Sequence, residues 1–349
     1  MMKNTIALKI LFIFKLIALV YIGIVILRYT SNNSSPRTEK IVVTDVNCCT
    51  TNYGRNVTGV NAIEARTPSS TKHAVEEKIE KREMLYESRR RLVERSCHQL
   101  GHTFKTERNF GRILVDRSHK VMYCQVPKVG CSNWLRVFLK LTGDYSPEEY
   151  IPWSEVAYIE RYYKRLSQYR GKEFEEMTRP GNYTKFMVVR HPFSRLLSAF
   201  LNKFVHRTSQ QLLLEMMEKI HNVTGSTAQE INFHDFVQYL IMTDEKSETW
   251  NNHYRPMYHL CSPCDIDYDI IGHLETINED AQYIIKTIGS DLDYPSRDQS
   301  ATNSSNSDKM IEYFGKLSKY QIIQLYRIYQ MDFALFGYSV PDYMNVTIS

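Results

Sequence analysis

Several compositional extremes are absent from this 349-residue chain. Glycine (14) and proline (11) are too scarce for a fibrous or low-complexity protein. The 44 basic and 39 acidic residues leave a net charge of only +5, which is weaker than the charge of a dedicated nucleic-acid binder. With 43% hydrophobic and 24% charged residues, the composition excludes a wholly disordered chain. The mild basic excess is compatible with an acidic partner other than nucleic acid.

Charge is nearly absent from residues 10–27, where Lys15 is the one charged side chain. Extended back to Ile6, this apolar run has 22 residues and would span about 33 Å as a helix. We therefore predict a retained transmembrane signal-anchor over 10–27, with 1–9 as a cytoplasmic tail. A cleaved signal peptide is the alternative, but the run exceeds the usual hydrophobic core of a signal peptide and lacks a clear cleavage site.

The polar segment after this run predicts a luminal stem over 28–96. Residues 31–72 are rich in Ser, Thr and Asn, and residues 74–96 carry dense mixed charge around a thin apolar stripe that includes Tyr86 and Val93. We interpret the charged stretch as a spacer helix whose Arg89-Arg90-Arg91 run is a solvated face. All the N-x-[ST] sequons follow the apolar run, which favours a luminal location; they start at Asn32, Asn33, Asn56, Asn182, Asn222, Asn303 and Asn345.

Residues 97–349 are predicted to form one α/β domain. A β-prone run over 121–126 leads into a loop containing Lys128 and Gly130, and helical spacing resumes at Trp134 with Ser132 or Asn133 as N-cap. Free amides at such a helix start, beside an ammonium group, form an anion site. The loop is not a Walker A motif. Taken alone, it could equally be an ordinary strand-to-helix turn with a solvated lysine.

A second strand-to-helix corner strengthens the anion-site interpretation. The apolar run over 186–189 ends at Arg190, and Ser198 follows on an early turn of the next helix. Open α/β sheets bind ligands at the carboxyl ends of their strands, and a guanidinium with a nearby hydroxyl suits a terminal phosphate. Two such corners in one sheet predict a ligand with two separated phosphates.

These two motifs resemble the nucleotide loops of Golgi carbohydrate sulfotransferases. The branch most similar contains the chondroitin and dermatan 4-O-sulfotransferases, the N-acetylgalactosamine 4-O-sulfotransferases and the HNK-1 sulfotransferase. Asn252-His253-Tyr254, the Cys261/Cys264 pair and Tyr338-Ser339-Val340 extend the resemblance. The motif residues are Pro127, Lys128, Val129, Gly130, Cys131, Ser132 and Asn133 in the first loop, and Arg190, His191, Pro192, Phe193, Ser194, Arg195, Leu196, Leu197 and Ser198 in the second.

The resemblance implies a P-loop-NTPase-like sulfotransferase fold, with a central parallel sheet flanked by helices. It also implies that these motif residues bind PAPS (3′-phosphoadenosine 5′-phosphosulfate), the first loop at the 5′-phosphosulfate and the second at the 3′-phosphate. Lys128 would stabilise the leaving phosphate and the sulfuryl oxygens, while Arg190 and Ser198 would position the donor. No metal is expected, because the leaving group is already a good one.

His253 is our candidate general base, with Glu275 and His191 as alternatives. The resemblance implies a Golgi membrane enzyme of single-pass type II topology, with an acidic glycan acceptor. The expected target is the 4-hydroxyl of N-acetylgalactosamine in chondroitin, dermatan or a terminal position. A glucuronyl 3-hydroxyl, as in HNK-1 synthesis, and a non-catalytic glycan- or nucleotide-binding relative are the alternatives.

Three residues depart from the family pattern: His191 replaces an acidic residue, Tyr254 a tryptophan and Leu135 a lysine. Among the 7 cysteines, Cys261 and Cys264 are expected to join disulfides rather than bind zinc. Cys48 and Cys49 in the stem are candidates to link a homodimer. Residues 291–309 are interpreted as a surface loop. Residues 320–336 are interpreted as a core helix in which Leu325, Ile328 and Tyr329 pack.

Overall fold

The computed structural model describes residues 68–100, 108–206, 210–226, 230–244, 250–295 and 302–344. The helices are α1 (Pro68–Leu100), α2 (Cys131–Leu141), α3 (Trp153–Val156), α4 (Gly171–Thr178), α5 (Pro192–Phe200), α6 (Gln210–Thr224), α7 (Phe233–Met242), α8 (Met257–Cys261), α9 (Ile277–Thr287), α10 (Ser307–Phe314) and α11 (Lys319–Phe336). The strands are β1 (Ile113–Asp116), β2 (Val121–Cys124), β3 (Lys164–Arg165), β4 (Thr184–Val189) and β5 (Ile270–His273). Short 3₁₀ turns occupy Ile159–Arg161, Leu166–Gln168, Leu274–Thr276 and Asp342–Met344.

The five strands form one mixed sheet in the order β3-β1-β2-β4-β5. Strands β2, β4 and β5 are parallel, whereas β1 is antiparallel to β2 and β3 is antiparallel to β1. The prediction of an α/β fold is confirmed, but the sheet is mixed rather than purely parallel. The hairpin from β1 to β2 explains the difference, because only four residues separate these strands and a parallel pair needs a longer crossover.

The carboxyl ends of the parallel strands define the edge where ligands bind in open α/β sheets. The antiparallel registers bring two further chain segments to that edge. Ile113 at the start of β1 pairs with Cys124 at the end of β2, and Arg165 at the end of β3 pairs with Leu114. All five strands therefore present a terminus at or near the same edge.

Helix α1 packs against the domain through a buried carboxylate. Asp280 is fully buried and accepts hydrogen bonds from Tyr86 Oη at 2.8 Å, Arg82 Nη1 at 2.9 Å and Arg89 Nη1 at 3.1 Å. Tyr86 and Val93 are buried, as the apolar stripe predicts. The interpretation of Arg89 as part of a solvated face is wrong, because its guanidinium turns inward to Asp280.

Two disulfides, Cys97–Cys264 and Cys124–Cys261, link helix α1 and strand β2 to the segment at the end of α8. The expectation that Cys261 and Cys264 both join disulfides is confirmed. Helix α11 is a core helix as predicted, with Leu325 and Tyr329 fully buried.

In the part of the chain that the structure describes, no helix has both the length and the apolar character needed to cross a bilayer. The predicted span over 10–27 and the stem cysteines Cys48 and Cys49 lie outside the described residues, as do the sequons at Asn32, Asn33, Asn56 and Asn345.

Candidate active site

The first loop turns through Gly130, which is the N-cap of α2 in the left-handed conformation (φ 85°). The predicted N-cap at Ser132 or Asn133 is therefore wrong by two or three residues. Glycine suits this position because Tyr294 donates to its carbonyl oxygen at 3.2 Å, and a Cβ there would lie 2.6 Å from the Tyr294 hydroxyl. A glycine N-cap has no side chain to bind the first amides of α2, so these amides are available to an anion.

Lys128 lies on this loop in a half-buried position, with a left-handed backbone (φ 74°). Burial, together with the positive charges of Lys203 and Arg190, lowers the pKa of its ammonium group to about 8. Because lysine loses solvation and gathers positive neighbours here, the site favours a bound anion.

The second corner places Arg190 against the first loop, 6% exposed. Its Nη1 donates to the carbonyl oxygen of Lys128 at 3.2 Å, and its Nη2 donates to the hydroxyls of Ser304 and Ser305, each at 2.8 Å. Ser198, the other predicted member of this corner, joins the same group of side chains through Thr302 at 3.0 Å.

Thr302 and Ser304 are thus part of the site, and the interpretation as surface loop is wrong for these two residues, whereas Asn303 and Ser305 are exposed. Thr302 is 7% exposed and Ser304 is fully buried; their hydroxyls are 3.0 Å apart, and the Thr302 carbonyl accepts from Lys309 Nζ at 3.2 Å. A polar stretch far from both motifs gave no sequence signal of this burial. Only the tertiary fold brings its hydroxyls into contact with Arg190 and Ser198.

His191 is the N-cap of α5 and stands where the resemblance leads us to expect an acidic residue. Its Nδ1 accepts weakly from the Ser194 amide at 3.4 Å, and its Nε2 donates to the Ser339 carbonyl at 3.0 Å. The His191 amide donates to Glu275 at 2.9 Å, and Glu275 also accepts from Tyr338 at 2.9 Å. The two alternative bases, Glu275 and His191, are therefore neighbours at the ends of β4 and β5, beside Arg190.

Several other motif residues have their side chains in the protein interior. Asn133 donates to the Pro295 carbonyl at 3.1 Å and accepts from Arg136 at 2.8 Å. Ser194 contacts the sulfur of Met310 at 3.8 Å. The apolar members are buried, and for them only the backbone is placed to meet a ligand; these are Pro127, Val129, Pro192, Phe193, Leu196 and Leu197. Cys131 and Ser132 are half-buried, and Cys131 is a free thiol.

Arg195, predicted to contact the donor, binds protein carbonyls instead. It is 1% exposed and donates to Pro127 at 3.0 Å, Asn252 at 2.9 Å and Arg255 at 2.8 Å. Pro127 and Asn252 directly precede Lys128 and His253. One buried guanidinium therefore ties together the backbone segments that carry the two predicted catalytic residues.

His253 is half-buried, and its Nδ1 lies 2.6 Å from Asn251 Oδ1. An amide oxygen can only accept, so Nδ1 carries the proton and Nε2 has its lone pair free to act as a base. Burial lowers the pKa of His253 to about 3, and the neighbouring cations Lys203 and Lys128 act in the same direction. The imidazole is therefore neutral at physiological pH.

Lys203 is a site residue that the motifs missed. It lies in one turn of π-helix, Leu201–Val205, directly after α5. Its positive charge lowers the pKa of both Lys128 and His253, so it lies in the neighbourhood of both groups. A π turn changes the face on which the following residues lie, and regular helical spacing does not reveal it.

Two cationic corners at the carboxyl edge of one α/β sheet, with a neutral histidine near the first, suit a ligand that carries two anionic groups. Comparison with known proteins specifies the class of protein. A model described as the sulfotransferase family matches residues 111–339. The chain belongs to the sulfotransferase family.

The curated relatives are carbohydrate sulfotransferases. Carbohydrate sulfotransferase 11 of Danio rerio is 34% identical over 281 residues, which cover 75% of this chain and 78% of the relative. Carbohydrate sulfotransferase 10 of Gallus gallus is 36% identical over 266 residues, covering 71% and 72%. No solved structure matches the chain. The resemblance inferred from the motifs is confirmed, and the protein is a carbohydrate O-sulfotransferase that transfers a sulfuryl group to a glycan hydroxyl.

Proposed function

We propose that the sulfuryl donor is PAPS and that Lys128 and Arg190 bind its two ends. The observation that carries the proposal is the hydrogen bond from Arg190 to the Lys128 carbonyl, which joins the two corners. The 5′-phosphosulfate meets Lys128 and the first amides of α2. The 3′-phosphate meets Arg190 and the hydroxyls of Ser198 and Ser304. This division agrees with the P-loop-NTPase-like fold that we propose for the domain.

Each corner offers the chemistry that its anion requires. Lys128 carries a compact ammonium charge suited to the equatorial oxygens of the sulfuryl group and to the leaving phosphate. The second corner offers a planar guanidinium with buried hydroxyls, which suits a phosphate monoester. Ser305 and Thr302 complete its ring of hydroxyl groups.

We propose that His253 takes the proton from the acceptor hydroxyl. Its segment is joined through Arg195 to the segment of Lys128, whereas Glu275 and His191 lie beside Arg190 on the side of the 3′-phosphate. The cations that lower the pKa of His253 are partly neutralised once an anionic donor binds. The base therefore gains proton affinity when the donor is in place.

The proposed acceptor is N-acetylgalactosamine, modified at its 4-hydroxyl in chondroitin, dermatan or a terminal position. The glucuronyl 3-hydroxyl is the second candidate, because relatives named carbohydrate sulfotransferase 10 and 11 match at similar identity. We further propose a Golgi membrane location with the catalytic domain in the lumen, for which the apolar run over 10–27 is the support. A stem-linked homodimer through Cys48 or Cys49 completes the proposal.

The experiment is a transfer assay with ³⁵S-labelled PAPS on desulfated chondroitin, dermatan and glucuronyl glycans, with the sulfated position mapped on the product. Lys128→Ala should abolish turnover while binding of 3′,5′-ADP persists, and Arg190→Ala should abolish both. Ser146→Ala, which changes an exposed serine in the loop after α2, is the control. Turnover retained in both charge variants contradicts the donor-site assignment.

A further inference from the structure

Two arginines at the same sheet edge are not used by the donor site proposed above. Arg112 directly precedes β1, and Arg165 ends β3. Both bind Gln125, three residues before Lys128: Arg112 donates from Nε and Nη2 to the Gln125 carbonyl at 3.1 and 3.0 Å, and Arg165 Nη1 donates to the side-chain oxygen at 3.0 Å. One glutamine therefore holds two guanidinium groups together.

The sheet order places these arginines relative to the donor. Across β3-β1-β2-β4, the cations at the carboxyl edge follow in the order Arg165, Arg112, Lys128 and Arg190. Neighbouring strands are about 4.8 Å apart, so Arg112 is offset from Lys128 by about one strand and Arg165 by about two, on the side opposite Arg190. Because the 3′-phosphate belongs at Arg190 and the sulfuryl group at Lys128, the arginine pair lies beyond the sulfuryl end, where the acceptor must approach.

The electrostatics of the pair favour an anion. Burial lowers the pKa of the Arg112 guanidinium, and the positive charge of Arg165 lowers it further. Among the described residues, Arg112 forms no ion pair with a carboxylate. Arg165 binds Glu160 at 3.0 Å, but Glu160 is 69% exposed and is therefore only a weak counter-charge. The positive charge of Arg112 also contributes to the lowered pKa of His253, so Arg112 lies in the neighbourhood of the proposed base.

We propose that Arg112 and Arg165 form an acceptor subsite that binds the carboxylate of a uronic acid adjoining the sugar to be sulfated. A guanidinium fork matches the geometry of a planar carboxylate. The acceptor is then an internal position of a uronic-acid-containing polymer, rather than a neutral terminal N-acetylgalactosamine. This inference rests on the proposed function, since it takes Lys128 as the sulfuryl end of the site.

The test compares desulfated chondroitin with the same polymer after its carboxylates have been reduced. The two acceptors then differ only in whether the carboxylate is present. Arg112→Gln and Arg165→Gln should each raise KM for chondroitin about 10- to 100-fold with kcat little changed, because each removes hydrogen bonds to a charged group. On the carboxyl-reduced polymer, the variants should match the wild type. Arg117→Gln, which removes an exposed arginine paired with Glu173, is the matched control and should behave as wild type.

Two further measurements keep the outcomes separate. Calorimetric measurement of 3′,5′-ADP binding reports whether each variant is folded with an intact donor site. If Arg112→Gln loses this binding, the acceptor subsite is judged from Arg165→Gln alone. Binding of a chondroitin oligosaccharide to the ADP-loaded protein tests the subsite without turnover. Absence of transfer with normal oligosaccharide binding would contradict the proposed catalytic function alone. The subsite is overturned if both variants bind chondroitin as wild type does, or if the wild type does not distinguish the two polymers.

Discussion

Arg195 donates a hydrogen bond to the carbonyl oxygen of Pro127 at 3.0 Å, across a sequence separation of 68 residues. The same guanidinium binds Asn252 and Arg255, so the segments of Lys128 and His253 share one buried anchor. With this geometry, Arg195 holds the backbone segments of the two proposed catalytic groups in place from the protein interior.

Replacement of Arg195 with lysine should lower kcat by at least about tenfold, because one ammonium cannot reproduce three directed bonds. KM for PAPS should change little, since the guanidinium of Arg195 is buried and bonded to three protein carbonyls. Buried carbonyls left unpaired should also reduce the free energy of unfolding by about 1–3 kcal/mol. Steady-state kinetics and urea unfolding measure both effects. A raised KM for PAPS with unchanged kcat would instead place Arg195 at the donor.

The pH profile of the enzyme should have a basic limb that belongs to Lys128. Burial lowers the pKa of its ammonium to about 8, so the positive charge is present below that pH and is lost as the pH rises through it. The profile of kcat/KM for the donor, which reports the free enzyme, should therefore fall above about pH 8. Lys128→Arg keeps its charge over this range and should remove the limb, even at reduced activity. An identical limb in the variant would assign the titration to another group.

His253→Ala should lower kcat about 10²- to 10⁴-fold, as expected for loss of a general base. Asn251→Ala tests the tautomer: without its acceptor, Nδ1 no longer fixes the proton, and kcat should fall by a smaller factor. Asn251→Asp restores an acceptor and should recover activity relative to alanine. It should also raise the pKa of His253, because the new carboxylate favours the imidazolium. A wild-type kcat in His253→Ala would instead favour Glu275 or His191 as the general base.

Asp280→Asn should destabilise the domain by about 3–5 kcal/mol, because it removes a fully buried carboxylate and leaves the half-buried Arg89 without its charged partner, while Arg82 keeps only the exposed Glu279. Burial by itself raises the pKa of Asp280, but the hydrogen bond from the His273 amide and the charge of Arg89 outweigh it and hold the pKa below the ordinary value of an aspartate. The carboxylate therefore stabilises the fold at any pH above the pKa of the unfolded chain, and its contribution is lost as the pH falls through the lowered pKa of the folded state.

Urea unfolding of Asp280→Asn and the wild type at pH 7 and in acid measures this effect. The difference between them should shrink as the carboxylate is protonated. Glu279→Gln is the matched control, because its carboxylate also pairs with Arg82 but is 57% exposed, and it should cost less than about 1 kcal/mol. Equal effects of the two substitutions would show that burial of Asp280 does not matter.

The sequence by itself determined the α/β class, the two corners with Lys128 and Arg190, and the participation of Cys261 and Cys264 in disulfides. These features are local: a strand, a turn and a helix start within a dozen residues are enough to place a cation at a sheet edge. The tertiary structure decided what surrounds them. Ser304 meets Arg190 across 114 residues and Arg165 meets Gln125 across 40, contacts that no local pattern encodes. It also decided the partners of Arg195, because the carbonyls of Pro127, Asn252 and Arg255 become neighbours only in the folded chain.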